Sequence, residues 1–143
     1  MSRKSARIAE MIAGLHDPRF DPHYLGYFDC FNRGLYYEAH DVLEELWLSQ
    51  GRDGANHAFY KGLIQFAGAF VHLQKGRLRP AVALFNLAES NLRRYPVRHE
   101  GLDLDDVLRV IGEWRGRVEA GGFRDNPLAS GCGPTLRPDA SGS

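Results

Sequence analysis

The stretch from Tyr37 to Trp47 reads YEAHDVLEELW, and it is the most informative part of the sequence. Its apolar residues recur every three or four positions, which is the spacing of one face of an α-helix. The residues of one face are plainly apolar: Leu35, Ala39, Val42 and Leu46. The adjacent face carries His40, with Glu44 one turn further on. The stretch therefore predicts a helix that holds a histidine and a carboxylate beside its packed surface.

The same helical spacing continues on both sides of this stretch, and no segment alternates with the period of a β-strand. Asp21 followed by Pro22, and later Asp103, predict helix N-termini, because aspartate caps and proline fits the first helical position. The pattern predicts an all-α, antiparallel bundle of about six helices. Their approximate ranges are 5–14, 22–33, 35–49, 54–75, 80–95 and 104–118.

A weak internal repeat relates the two central pairs of helices. Shifting the chain by 42 residues places Gly34 on Gly76, whereas His40 falls on Val82. The sequence therefore predicts two similar helical hairpins with flanking helices, of a build that is similar to tetratricopeptide elements. The second hairpin has an apolar residue where the first has an imidazole.

Length and composition are those of one globular domain. The chain has 143 residues, of which 43% are hydrophobic, and its two cysteines exclude a disulfide scaffold. We expect one domain over residues 1–120, followed by a tail over 121–143 that is rich in glycine, proline and serine. The sequence contains neither a signal-peptide core nor an apolar span of membrane length, so we expect a cytoplasmic protein.

Charges are balanced overall but unevenly distributed. The formal net charge is zero, which argues against a nucleic-acid-binding protein. Residues 38–53 are mainly acidic and residues 75–98 mainly basic. The basic segment is either a solvated surface or a site for an anionic partner, and the two segments could pair between subunits of a homodimer. A different protein partner is equally open.

The helix predicted over residues 54–75 carries polar groups on a stripe of small residues. The stripe comprises Ala55, Ala58, Gly62, Gln65, Ala69 and His72. We expect small residues to let another helix approach closely, and we expect that helix to be the one carrying His40. Gln65 and His72 would then join His40 and Glu44 in one polar cluster.

Three interpretations of this cluster are open. The groups could pair with one another and fix the register of the bundle. They could bind zinc, iron or manganese, with His40, Glu44 and His72 as ligands. They could also act as a metal-free acid–base pair. Whether the protein is an enzyme is open. The alternative to a functional pocket is a tetratricopeptide-like interaction or scaffold module in which the cluster is purely structural.

Two motifs resemble those of the domain-of-unknown-function 309 family. They are FNRGLYYEAHDVLEELW over residues 31–47 and YKGLIQ over residues 60–65, the latter followed by His72. The resemblance covers about residues 20–96, and Asp41 stands where the family's usual motif has glutamate. It implies a small all-helical bundle and no particular reaction. The matching motif positions are Glu38, His40, Asp41, Glu44, Trp47, Gln65 and His72.

Overall fold

A computed structural model of the chain describes residues 2–129 and 131–139. It confirms the predicted all-α bundle of six helices. The helices are α1 (Arg3–Ile12), α2 (Pro22–Asn32), α3 (Tyr36–Gln50), α4 (His57–Gln74), α5 (Leu78–Leu92) and α6 (Leu104–Ala120). Two very short strands, β1 (Arg98–His99) and β2 (Leu102–Asp103), form an antiparallel pair between α5 and α6.

The central helices form the two predicted hairpins, α2 with α3 and α4 with α5. Each hairpin turns at a glycine, Gly34 with φ of 76° and Gly76 with φ of 70°. Only glycine adopts this left-handed conformation without a steric cost, which explains why the repeat aligns these two residues. The middle of the fold is the contact of α3 with α4. Helix α1 covers α2 and α3, and α6 covers α5.

Aspartate side chains cap two of the helices, as the sequence predicts. The carboxylate of Asp21 accepts a hydrogen bond of 2.8 Å from the backbone N–H of His23, and Pro22 is the first residue of α2. The carboxylate of Asp103 likewise accepts a bond of 3.2 Å from the N–H of Asp106. These bonds satisfy backbone donors that a helix leaves unpaired at its N-terminus.

We expect Asp103→Ala to lower the free energy of unfolding by about 1 kcal/mol, because α6 loses its only capping side chain. Urea denaturation followed by circular dichroism measures this change. Asp105→Ala is the matched control, since Asp105 lies exposed in the same first turn without capping it. Equal losses in the two variants would show that charge near the helix end, rather than the cap, stabilises α6.

The short β-hairpin is absent from the sequence prediction. Its strands have two residues each, which is too short for an alternating pattern to be recognised. Glu100 and Gly101 connect them with φ angles of 51° and 70°. The hairpin directs the chain from the end of α5 into α6, and the backbone carbonyl of Glu100 accepts a hydrogen bond of 2.9 Å from the Tyr24 hydroxyl.

Aromatic rings form the centre of the core, and Phe70 of α4 lies in the middle of them. Phe70 is completely buried. Its ring centroid lies between 5.1 and 5.4 Å from those of five other rings. These rings belong to Phe31, Tyr36, Phe66, Phe85 and Trp114. One side chain therefore connects helices α2 to α6.

Helix α4 is the most apolar helix, and it packs most extensively against α3 and α5. None of the helices in the described part of the chain combines the length and apolarity needed to cross a membrane.

The prediction that the stripe of small residues faces α3 is wrong for Gly62. A Cβ atom at Gly62 would lie 2.9 Å from the Leu92 side chain of α5. The glycine therefore allows close packing within the α4–α5 hairpin.

The segment after α6 runs back across the end of the bundle at which α2 and α4 finish. Leu136 is buried, and its backbone N–H and carbonyl each form a 2.7 Å hydrogen bond with the Asn32 side chain. The Asn126 amide donates to the backbone carbonyl of Leu73 in α4. Residues 130 and 140–143 of the predicted tail lie outside the described residues.

Candidate functional site

Three side chains of α3 converge at one place on its surface: His40, Asp41 and Glu44. One potential ligand atom from each lies within 4.8 Å of the other two. The His40 Nδ1 atom is 3.2 Å from Asp41 Oδ1, and its Nε2 atom is 3.8 Å from Glu44 Oε2. The i, i+4 spacing of a helix brings His40 and Glu44 together, and Asp41 adjoins them in sequence. All three side chains are partly exposed, so solutes can reach them.

Each carboxylate of this group lies near one nitrogen of the His40 imidazole. Two ligands that are each about 2.1 Å from a tetrahedral zinc ion lie roughly 3.4 Å apart. The separations of 3.2 Å from His40 to Asp41 and 3.8 Å from His40 to Glu44 lie close to that value. They involve opposite nitrogens of the imidazole, so one ion would take a single nitrogen, and the second carboxylate would rotate towards it.

Lys4 of α1 already supplies a positive charge to this group. Its Nζ atom lies 3.3 Å from Asp41 Oδ1 and 3.1 Å from Glu44 Oε1. Burial by itself would lower the pKa of Lys4, but the hydrogen bond to Glu44 and the charge of Asp41 outweigh it and raise that pKa. The two carboxylates are therefore arranged around a cation within the folded chain.

Glu38 belongs to the same acidic side of α3 but contacts a different residue. Its Oε1 atom lies 3.5 Å from the Arg7 guanidinium of α1. Lys4 and Arg7 are one helical turn apart, as are Glu38 and Asp41, so a basic face of α1 lies on an acidic face of α3. Part of the acidic segment is thus neutralised within the chain.

On the other side of His40, a groove of about 270 Å³ lies over α4, between α3 and α5. It is lined by His40, Gln65 and His72 of the predicted polar cluster, whereas Glu44, the fourth predicted member, is not among its lining residues. The other lining residues are Tyr37, Ile64, Gly68, Val71, Lys75 and Leu84. Gln65 is oriented by α5, because its Oε1 atom accepts a hydrogen bond of 2.7 Å from Asn91.

His72 lies in this groove and is not one of the three converging residues. Its Nδ1 atom is buried and has no hydrogen-bond partner among residues 2–129 and 131–139. Burial lowers the pKa of His72, and the charges of Arg77 and Lys75 lower it further. The structure thus favours a neutral imidazole across the groove from His40.

Trp47 lies away from the His40 group, near the C-terminal end of α3. Its indole Nε1 donates a hydrogen bond of 3.1 Å to the backbone carbonyl of His57, and the two rings are 5.1 Å apart. The motif position Trp47 therefore connects α3 with the start of α4 and lines a separate cavity.

The sequence pattern does not predict the ion pairs of Lys4 or the packing of α1 against α3. The helical spacing around Ile8 predicts α1, but nothing in the spacing indicates which helix it contacts. The available signal is the match between Lys4 and Arg7 on one helix and two acids, also three positions apart, on the other. Such a match is recognised only once the two helices are known to be neighbours.

Comparison with known proteins agrees with the motifs. Residues 24–84 match the model of the family described as Domain of unknown function (DUF309). No curated protein matches the chain. The matched segment runs from within α2 to the middle of α5, and it contains all seven motif positions predicted as site residues. The resemblance seen in the sequence is confirmed over residues 24–84, a segment that includes all of α3 and α4.

Proposed function

We propose that this chain binds a divalent cation at His40, Asp41 and Glu44. The observation that carries the proposal is the convergence of one imidazole and two carboxylates within 4.8 Å of one another. This donor set suits zinc, manganese and iron, which accept mixed nitrogen and oxygen ligands. Three protein ligands leave coordination positions for water or a substrate, so hydrolytic chemistry belongs to the same proposal.

Exposure supports a binding site over a purely structural cluster. The side chains of His40 and Glu44 are 30% and 29% exposed, and that of Asp41 is 14% exposed. A polar network specifies the geometry of a core when its members are buried and would be costly to leave unpaired. Water can compensate for a lost partner at these side chains, so the register of the helices need not depend on them.

The neighbouring groove supports a ligand next to the cation. His40 borders both the carboxylates and the groove, which has an apolar floor that includes Ile64 and Val71. Across the groove, the lowered pKa of His72 favours an imidazole that is able to accept a proton. Under the proposal, a small molecule in the groove would lie between the cation and this base.

Lys4 provides a sharp test, because its ammonium competes for the same two carboxylates. We expect Lys4→Met to tighten Zn²⁺ and Mn²⁺ binding by about five- to tenfold, since two ion pairs and one repelling charge are removed. Isothermal titration calorimetry of the chelator-treated proteins measures the change.

Arg7→Met is the matched control for this test. It removes the same charge from the same helix, one turn away, but Arg7 contacts Glu38 and none of the three proposed ligands. We expect it to change the affinity by less than about twofold, because solvent and salt screen a more distant charge. Equal effects of the two substitutions would point to general electrostatics. Absence of binding by both wild type and Lys4→Met would contradict the proposal.

The alternative, a tetratricopeptide-like interaction module, has one observation in its favour. Two leucines on the hairpins are strongly exposed, Leu48 by 67% and Leu87 by 51%. If neither protein binds a cation, these exposed leucines would be the place to look for a partner protein.

A further inference from the structure

A second cavity lies at the opposite end of the α3–α4 seam from His72. It has a volume of about 500 Å³. The lining residues are Trp47, Leu48, Gly51, Arg52, His57 and Lys61. Two residues of the family-like motifs, Trp47 and Lys61, meet here, and the cation proposal uses neither of them. The cavity is therefore separate from the proposed cation site.

Positive charge dominates this cavity. Arg52 and Lys61 line it, and no lining residue is acidic. Neither cation forms an ion pair with a carboxylate in the described parts of the chain. Asp53 follows Arg52 directly but is exposed and lies outside the lining. The cavity thus presents two positively charged side chains, Arg52 and Lys61, whose charges are not neutralised by a neighbouring acid among the described residues.

Apolar and aromatic surface accompanies the two cations. The indole of Trp47 is held in place by its hydrogen bond to the His57 carbonyl, and the Lys61 Nζ atom lies 6.0 Å from the indole centroid. Leu48 adds an apolar wall that is 67% exposed. The Nδ1 atom of His57 is buried and has no hydrogen-bond partner within the described residues. A fixed ring and an exposed leucine suit an apolar body, whereas the cations suit an anionic group.

We propose that the Trp47 cavity binds a small organic anion that carries a planar ring. The ring contacts Trp47 and Leu48, and the anionic group lies between Arg52 and Lys61. Guanidinium groups bind phosphate and carboxylate oxygens through paired hydrogen bonds, and an ammonium adds a point charge. Both a phosphate monoester and an aromatic carboxylate have this chemistry. The proposal does not depend on a cation at His40.

Titration of the full chain with AMP and, separately, with 2-naphthoate tests the proposal and distinguishes the two anions. Trp47 fluorescence is the readout, and the buried Trp114 supplies a constant background that Trp47→Phe identifies. EDTA is present throughout, so that no divalent cation can carry the phosphate to His40. We expect saturable quenching by at least one of the two anions. Adenosine and inorganic phosphate, which each lack one half of the chemistry, should bind at least about tenfold more weakly.

Substitutions locate the site. We expect Arg52→Ala and Lys61→Ala each to weaken binding by about tenfold, since each removes a charged hydrogen-bond donor. Lys75→Ala is the matched control, because Lys75 directly follows α4 and, like Lys61, lies 6.0 Å from an aromatic ring of α3, in this case that of Tyr37. Three results would overturn the proposal: no saturable quenching by either anion, unchanged binding in Arg52→Ala and Lys61→Ala, or an equal loss in Lys75→Ala.

Discussion

His40→Ala is expected to weaken Zn²⁺ binding by about a hundredfold, because the imidazole is the only nitrogen ligand of the proposed site. Calorimetric titration of the chelator-treated variant and wild type measures this loss. The free energy of unfolding should change by less than about 0.5 kcal/mol, since the side chain is partly exposed and water replaces its contacts. A structural cluster would behave in the opposite way, with a loss of roughly 1–3 kcal/mol.

His23→Ala is the control for this substitution. His23 also lies between two carboxylates, with its Nδ1 atom 2.9 Å from Asp21 and its Nε2 atom 2.7 Å from Glu45. The acids contact opposite ring nitrogens in both groups, but among the described residues only His40, Asp41 and Glu44 each offer a ligand atom within 4.8 Å of the other two. We expect His23→Ala to bind Zn²⁺ as tightly as wild type. Loss of binding in His23→Ala but not in His40→Ala would move the site to α2.

Phe70→Ala is expected to have the largest effect on stability, a loss of about 3–5 kcal/mol. The ring is completely buried and packs against five other rings, so its removal leaves a cavity that several helices border. The neighbouring aromatic side chains are rigid and cannot easily fill that space. Urea denaturation followed by circular dichroism measures the loss as a lower midpoint.

Leu87→Ala is the matched control for Phe70→Ala. Leu87 is a large apolar residue of α5 that is 51% exposed, and we expect its substitution to cost less than about 0.5 kcal/mol. If Phe70→Ala were tolerated equally well, the aromatic cluster would not be the element that holds α2 to α6 together.

Local signals in the sequence predict most of the fold. Helical spacing, the caps at Asp21 and Asp103, and the turn glycines Gly34 and Gly76 each act within a few residues, so the sequence shows them directly. Packing partners depend on contacts between distant residues. The spacing around Gly62 correctly indicates a close helix contact, but it does not indicate that the neighbour is α5.

The candidate site likewise combines a local feature that the sequence shows with contacts that only the fold brings together. The pairing of His40 with Glu44 follows from the geometry of one helix and is visible in the sequence. The contribution of Lys4 comes from a helix 40 positions away from Glu44 along the chain, so no local pattern reveals it. Trp47 shares a helix with His40, yet it lines a different cavity because the start of α4 holds its indole.

The most direct test of the proposed cation site is titration of the wild-type protein with Mn²⁺, followed by NMR of the histidine imidazoles. Paramagnetic broadening identifies the ring nearest to the bound ion. We expect the His40 signals to broaden first, followed by those of His72 across the groove, while His16 and His23 keep their signals at substoichiometric ion. Saturation with Mn²⁺ that leaves His40 sharp, or that broadens His23 first, would contradict a divalent-cation site at His40, Asp41 and Glu44.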